Sequence, residues 1–208
     1  MNTVKNKSTL RLVQLALFIA IIILMSFTPL GYIKTFGLEI TLLVVPVSVG
    51  AILFGPAGGA ILGGVFGVTS FIQCFGMSAG GTVLLNINPV GTFIVTIVPR
   101  VLMGWLTGLV FQVLHKWNVT RGISYAVTCL VGPIFNTLLF MTAMMLFFYN
   151  TDYIQEIARG LGTNNVFSFV IAFVGINGLI ETGVCFVLGT AIAKAVDLFT
   201  KRSGIQNR

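Results

Sequence analysis

Arg100 lies deep in the apolar run Gly91-Thr-Phe-Ile-Val-Thr-Ile-Val-Pro-Arg-Val-Leu-Met-Gly-Trp105. A guanidinium facing lipid there would cost about 2.5–3.5 kcal/mol on the translocon scale. Its side chain must therefore meet protein, water or a ligand, and it needs an anionic or strongly accepting partner. Three more polar residues interrupt apolar runs at a comparable depth: Asn136, Asn177 and Glu181. Asn177 and Glu181 stand four apart and so share one face of a helix. At about 1.5 Å of rise per residue, Arg100, Asn136, Asn177 and Glu181 all reach the middle of the bilayer. Two arrangements satisfy this chemistry. Arg100 and Glu181 could form a buried ion pair that fixes helix packing, with the asparagines as hydrogen-bonding glue. Alternatively, Arg100 could clamp a carboxylate or phosphate of a ligand, with Asn136, Asn177 and Glu181 serving its amide and hydroxyl groups. Pro99 and Pro133 each free a backbone carbonyl one turn back, as happens where a helix lines a cavity. Phe71, Phe75, Phe93, Phe135 and Trp105 are candidate walls for such a cavity.

The elements that hold these groups follow from composition. The 208 residues are 56% hydrophobic and only 8% charged, against about 25% charged in a soluble domain. With about 20 apolar residues per crossing, the expected fold is an all-α integral membrane domain spanning 1–208. Its six transmembrane helices fall at about 10–28, 40–54, 57–74, 91–114, 122–149 and 166–193. The basic stretch before the first run lacks a small-residue cleavage site, so it reads as a retained helix rather than a leader. The second and third helices are separated only by Gly55-Pro56, with proline opening the new helix.

Charge placement orients the chain. With the N-terminus inside, the cytoplasmic flanks hold Lys5, Lys7, Arg11, Lys116, Arg121, Lys194, Lys201, Arg202 and Arg208, and the outer flanks hold only Lys34 and Arg159. Both termini are therefore expected in the cytoplasm of a bacterial cell membrane. The net charge of +7 follows this pattern and forms no groove or stripe for nucleic acid. Cys74, Cys129 and Cys185 are scattered singly and read as small hydrophobes. No phosphate-binding glycine-lysine-serine loop, paired carboxylates, nucleophile elbow or metal-ligand cluster occurs. The sequence thus predicts no enzyme, no cofactor and no metal.

Two further features concern packing and access. Gly55, Gly59, Gly63 and Gly67 recur every four residues and form a flat stripe for close intramolecular helix packing. Phe75 to Val90 carries no charge and contains Gly76, Asn86 and Asn88. It reads as a flexible outer loop, a lid over a cavity.

Ala16-x-x-x-Ala20, the block VPVSVGAILFGPAGGAILGGVFGVTSF at 45–71 and IVPRVLMGWLTGL at 97–109 together resemble the substrate-binding (S) component of energy-coupling factor vitamin transporters. The resemblance covers about 10 to 195, and GAILFGPAGGAILG is its most telling phrase. It implies a subunit that captures a small-molecule vitamin from outside and docks on a transmembrane coupling (T) component with two cytosolic ATPase subunits. Ala16 and Ala20 would be the docking residues. FTPLGYI at 27–33 and Pro99-Arg100 look most like pantothenate-type members, in which an arginine and an asparagine at matching positions contact the vitamin. Glu181 departs from what a mono-anion wants nearby, which leaves folate, riboflavin, pyridoxine or a thiamine precursor as alternatives. Outside this resemblance stand an autonomous proton-coupled transporter, with Glu181 as the proton site, and a structural subunit in which Arg100 and Glu181 only pack.

Overall fold

A computed structural model describes residues 2–29, 31–34, 39–117, 121–163 and 165–202, with side chains apart from 2–8, 33, 34, 39, 40, 121, 122, 176, 177 and 196–202. The helices are α1 (Asn2–Ser26), α2 (Val44–Gln73), α3 (Ala79–Ile87), α4 (Pro89–Lys116), α5 (Arg121–Phe148), α6 (Asp152–Gly160) and α7 (Val166–Arg202). Two three-residue strands, β1 (Tyr32–Lys34) and β2 (Glu39–Thr41), pair antiparallel between α1 and α2, with Tyr32 opposite Thr41. Outside this hairpin the described elements are all helices, as the all-α expectation requires. Residues 40 and 41, assigned above to the second transmembrane helix, belong to β2.

Among the described residues, five helices are long and apolar enough to cross a membrane: Thr9–Ser26, Val44–Gln73, Pro89–Lys116, Ile123–Phe148 and Gly178–Ala195. The sequence predicts six because it divides α2 in two. Inside α2, Gly55 leaves the helical region at φ 77° and ψ −171°, a conformation that glycine alone adopts without strain. The chain folds back there. A Cβ placed on Gly50 would strike Leu62, and one on Gly59 would lie 2.9 Å from the Ala51 methyl. Residues that far apart in sequence meet only if arms 44–54 and 56–73 run antiparallel. At about 1.5 Å per residue the arms are roughly 16 and 27 Å long, so the first is too short to cross a core of about 30 Å alone.

The second arm and α4 pack backbone to backbone along the glycine stripe. A Cβ on Gly63 would meet the Arg100 carbonyl, one on Gly67 would lie 2.8 Å from Ile97 Cα, and one on Gly108 of α4 would lie 2.6 Å from Pro56 Cα. The stripe is the seat of another helix of the same chain, as its four-residue period predicts. Helix α1 lies at the side of this pair. Its Leu15, Phe18, Ile19 and Ile22 face the core around Val44, Val47, Leu62 and Phe66.

The two ends of the bundle are tied differently. At one end Arg11 Nη2 donates to the Phe54 carbonyl at 2.7 Å, which brings the start of α1 to the Gly55 turn. At the other, Ser26 Oγ donates to Thr69 Oγ1 at 2.9 Å, the Gln73 amide donates to the Ser26 carbonyl, and the Tyr32 and Ser70 hydroxyls share a 2.9 Å bond. The hairpin is thereby held over the second arm of α2. A second apolar cluster (Val95, Met141, Met144, Phe148, Ile154, Phe169) joins α4, α5, α6 and α7 at this same end.

The segment from Phe75 to Val90 is largely helical, which corrects the flexible-loop expectation. Ser78 caps α3, accepting from the Gly81 amide, and Asn88 caps α4, accepting from the Gly91 amide at 2.9 Å. An uncharged segment at a membrane surface has little water for its backbone, and helix formation satisfies those groups internally.

Candidate functional site

Helix α4 presents Arg100 directly after Pro99. Proline lacks the amide that would bond to the carbonyl four residues back, and that carbonyl belongs to Val95. Arg100 Nη1 donates to the Val95 oxygen at 2.8 Å. The helix break thus supplies a local anchor for the guanidinium. Two aromatic faces flank it: the Arg100 guanidinium carbon lies 4.3 Å from the Phe140 ring centroid and 5.5 Å from that of Phe66. Such cation–π contacts attract the charge without neutralising it. Arg100 Nε is buried and has no hydrogen-bond partner among the described residues.

Facing α4 across the bundle, α7 supplies Glu181, 9% exposed, and α5 supplies Asn136, 6% exposed. The Asn136 side chain and the Thr41 backbone lie beside the Glu181 carboxyl group. Its Oε1 and the Asn136 Oδ1 are buried without partners. Arg100 and Glu181 sense each other's charge, yet no carboxylate among the described residues forms a direct ion pair with Arg100. The internal-pair arrangement considered above is therefore not the one formed. The guanidinium is held by a carbonyl and two aromatic rings, and the carboxylate lies beside the Asn136 side chain and the Thr41 backbone.

Three polar atoms of one constellation are thus buried and unpaired: a donor on Arg100 and acceptors on Asn136 and Glu181. Each such group left unpaired costs about 1–3 kcal/mol. Together they offer a hydrogen-bonding cation to an acceptor at one end and oxygen acceptors to donors at the other.

The structure brings together Arg100, Asn136 and Glu181, as their common depth predicts. The side chain of Asn177 lies outside the described residues; its backbone is in α7, one turn before Glu181 and after a break at Gly175. Gly76 sits at φ 119° in the turn before α3, and Asn86 lies near the end of α3. Ala16 and Ala20 are exposed on α1, in one stripe with exposed Leu12 and Leu24.

Other expectations shift. Phe75, Phe93 and Trp105 are exposed at the bundle surface, and Phe71 packs edge-on against Phe75 and Phe93. The rings beside Arg100 are Phe66 and Phe140, unmarked among eighteen phenylalanines. Tyr32 and Thr41, from the hairpin, also reach the site: the Thr41 backbone lies beside Glu181, and Tyr32 is close enough to Arg100 to interact with its charge. No periodicity announces strands of three residues. The one available signal is Tyr32 itself, a polar-tipped aromatic at a membrane boundary.

The family model described as "ECF transporter, substrate-specific component" matches residues 10–193. The chain is 27% identical over 218 aligned positions to a pantothenate transporter, PanT, of Leuconostoc mesenteroides, covering 97% of this chain and 98% of that one. It is 29% identical over 194 positions to a pantothenic acid transporter, PanT, of Lactococcus lactis, covering 88% and 91%. With a match across nearly its whole length, this multi-pass membrane protein belongs to the family of ECF transporter substrate-specific components.

Proposed function

We propose that the chain is the pantothenate-capturing subunit of an ATP-driven uptake complex, with Arg100 as the anion clamp. The observation that carries this reading is the partly buried Arg100 side chain, unpaired with any described carboxylate, whose buried Nε lacks a partner as do the buried oxygens Asn136 Oδ1 and Glu181 Oε1. Pantothenate carries a carboxylate at one end and an amide and hydroxyls along the rest. Its carboxylate meets Arg100 through charge-assisted hydrogen bonds. Its amide and hydroxyl N–H and O–H groups donate to Asn136 Oδ1 and Glu181 Oε1. Glu181 does not repel the vitamin's carboxylate in this pose, because it accepts from the opposite end. Asn177, four residues before Glu181 in the sequence, is assigned to the same ligand on that spacing. The names of two bacterial relatives support the choice of vitamin.

In this reading the whole chain forms one transmembrane unit with six crossings, the short first arm of α2 crossing together with the β1–β2 hairpin that leads into it, and both termini are cytoplasmic. The Gly55 turn, the start of α1 and the end of α4 then face the cytoplasm, in accord with nine cations on that side against two on the other. The hairpin, α3 and α6 face outward, and α3 with its flanking Gly76, Asn86 and Asn88 covers the site. Ala16 and Ala20 receive the coupling component, whose two ATPase partners supply the energy. Small side chains on an exposed helix face let another backbone approach closely.

The test is thermal unfolding of the purified protein with a panel of vitamins. Pantothenate should raise the midpoint in proportion to the logarithm of its concentration above Kd, and folate, riboflavin, pyridoxine and thiamine should not. Stabilisation by one of those instead would reassign the ligand; stabilisation by none would return Arg100 and Glu181 to a structural role.

A further inference from the structure

At the end of the bundle away from Arg100, a cavity of about 150 Å³ opens between α1, the Gly55 turn and the end of α4. It is lined by the apolar Ile52, Phe54 and Phe111 and by the polar Arg11, Gln112 and His115. Arg11 is fixed in place because its Nη2 serves the Phe54 carbonyl, left over where the first arm of α2 ends. That bond uses one donor of the guanidinium fork and leaves the others. The His115 ring stacks on Phe111, centroids 6.1 Å apart. Lys116 follows at the helix end, and then Trp117, 73% exposed, the residue type of the interfacial aromatic belt. Among the described residues, no acidic side chain lines the cavity.

We propose that this cavity binds the phosphodiester headgroup of an anionic phospholipid. Its cation and its amide recognise the phosphate oxygens, and its apolar side chains accept the apolar part of the lipid. Basic pockets between helices at the membrane–water boundary take such headgroups. The mixed lining favours an amphiphile over a free anion, which would leave the apolar side chains unused. The assignment to the cytoplasmic leaflet rests on the topology proposed above, and the site itself does not.

Native mass spectrometry of the purified protein with phosphatidylglycerol and phosphatidylcholine of identical chains tests this. Phosphatidylglycerol should be retained preferentially. Arg11→Gln should cut that retention about fivefold, the factor that one interfacial cation contributes. Gln112→Trp, which fills the cavity and keeps every charge, should cut it as well. Phosphatidylcholine retention should not respond to either change. Equal retention of the two lipids by the wild type, or full phosphatidylglycerol retention by both variants, would overturn the proposal. Displacement of the lipid by inorganic phosphate would also overturn it, assigning the cavity to a soluble anion. Pantothenate binding, read on the same samples, should be equal in the wild type and both variants. A wild type that selects phosphatidylglycerol but binds no vitamin would count against the proposed function alone.

Discussion

Adding a single methyl group at Gly63 tests the close approach that positions Arg100. A Cβ there would collide with the Arg100 carbonyl oxygen and lie 2.9 Å from its carbon. These are backbone atoms and cannot rotate away, so α2 and α4 must separate. Overpacking of this kind costs about 1–3 kcal/mol, against a gain of about 0.5–1 kcal/mol for replacing a helical glycine by alanine. Gly63→Ala should therefore lose about 1–2 kcal/mol of stability. Gly64→Ala is the control. Its Cβ would meet only Val101 Cγ2, at 3.6 Å, an ordinary contact, so it should gain about 0.5–1 kcal/mol. Neighbouring residues on one helix thus move stability in opposite directions. Cys74, Cys129 and Cys185 are buried thiols, so a thiol-reactive dye reports the melt directly. The expected order of midpoints is Gly63→Ala, then wild type, then Gly64→Ala. Because the collision falls on Arg100 itself, Gly63→Ala should also weaken pantothenate binding, and Gly64→Ala should not. A Gly63→Ala protein that melts with or above Gly64→Ala would refute the backbone contact.

Asn88→Ala removes the α4 cap and should lower stability by about 1 kcal/mol, with Asn88→Asp restoring it. An unchanged melting point in Asn88→Ala would mean that the cap does not hold the start of α4. Glu181→Gln keeps the shape but exchanges a charged acceptor for a neutral one. Calorimetry should show pantothenate affinity down about tenfold, the difference between charged and neutral hydrogen bonds; unaltered affinity would remove Glu181 from the contact. Thr69→Val deletes the acceptor for Ser26 at 2.9 Å and should cost about 0.5–1.5 kcal/mol in the same melt, while a neutral result would mean that α1 is held by apolar packing alone.

What the sequence discloses about this site follows from how unusual each residue is in its setting. Arg100, Asn136 and Glu181 are legible because polar groups in apolar runs are costly, and because a constant rise per residue puts them at one depth. Pro99 is legible for the same reason, and the structure adds that the carbonyl it frees goes to Arg100. The glycine stripe forecasts its partner's closeness but not its identity, since period four says nothing about which helix approaches. Phe66 and Phe140 escape notice because phenylalanine is ordinary in lipid-facing runs. The hairpin escapes because three-residue strands are too short to show alternation. Its importance comes from a tertiary contact, the Thr41 backbone on Glu181. The segment before α4 misleads for a different reason. Its glycines read as loop in water, whereas a membrane surface rewards internal hydrogen bonding and makes it a helix.

The central claim is that Arg100 binds the vitamin rather than its neighbours. Titration calorimetry of pantothenate against wild type and Arg100→Ala, on proteins shown to be folded by their melting curves, tests it most directly. Losing the charge-assisted hydrogen bonds should cost about 3–5 kcal/mol, a fall in affinity of about 100-fold or more. Wild-type affinity within a few-fold in Arg100→Ala would contradict the account and leave the guanidinium as a packing element between Phe66 and Phe140.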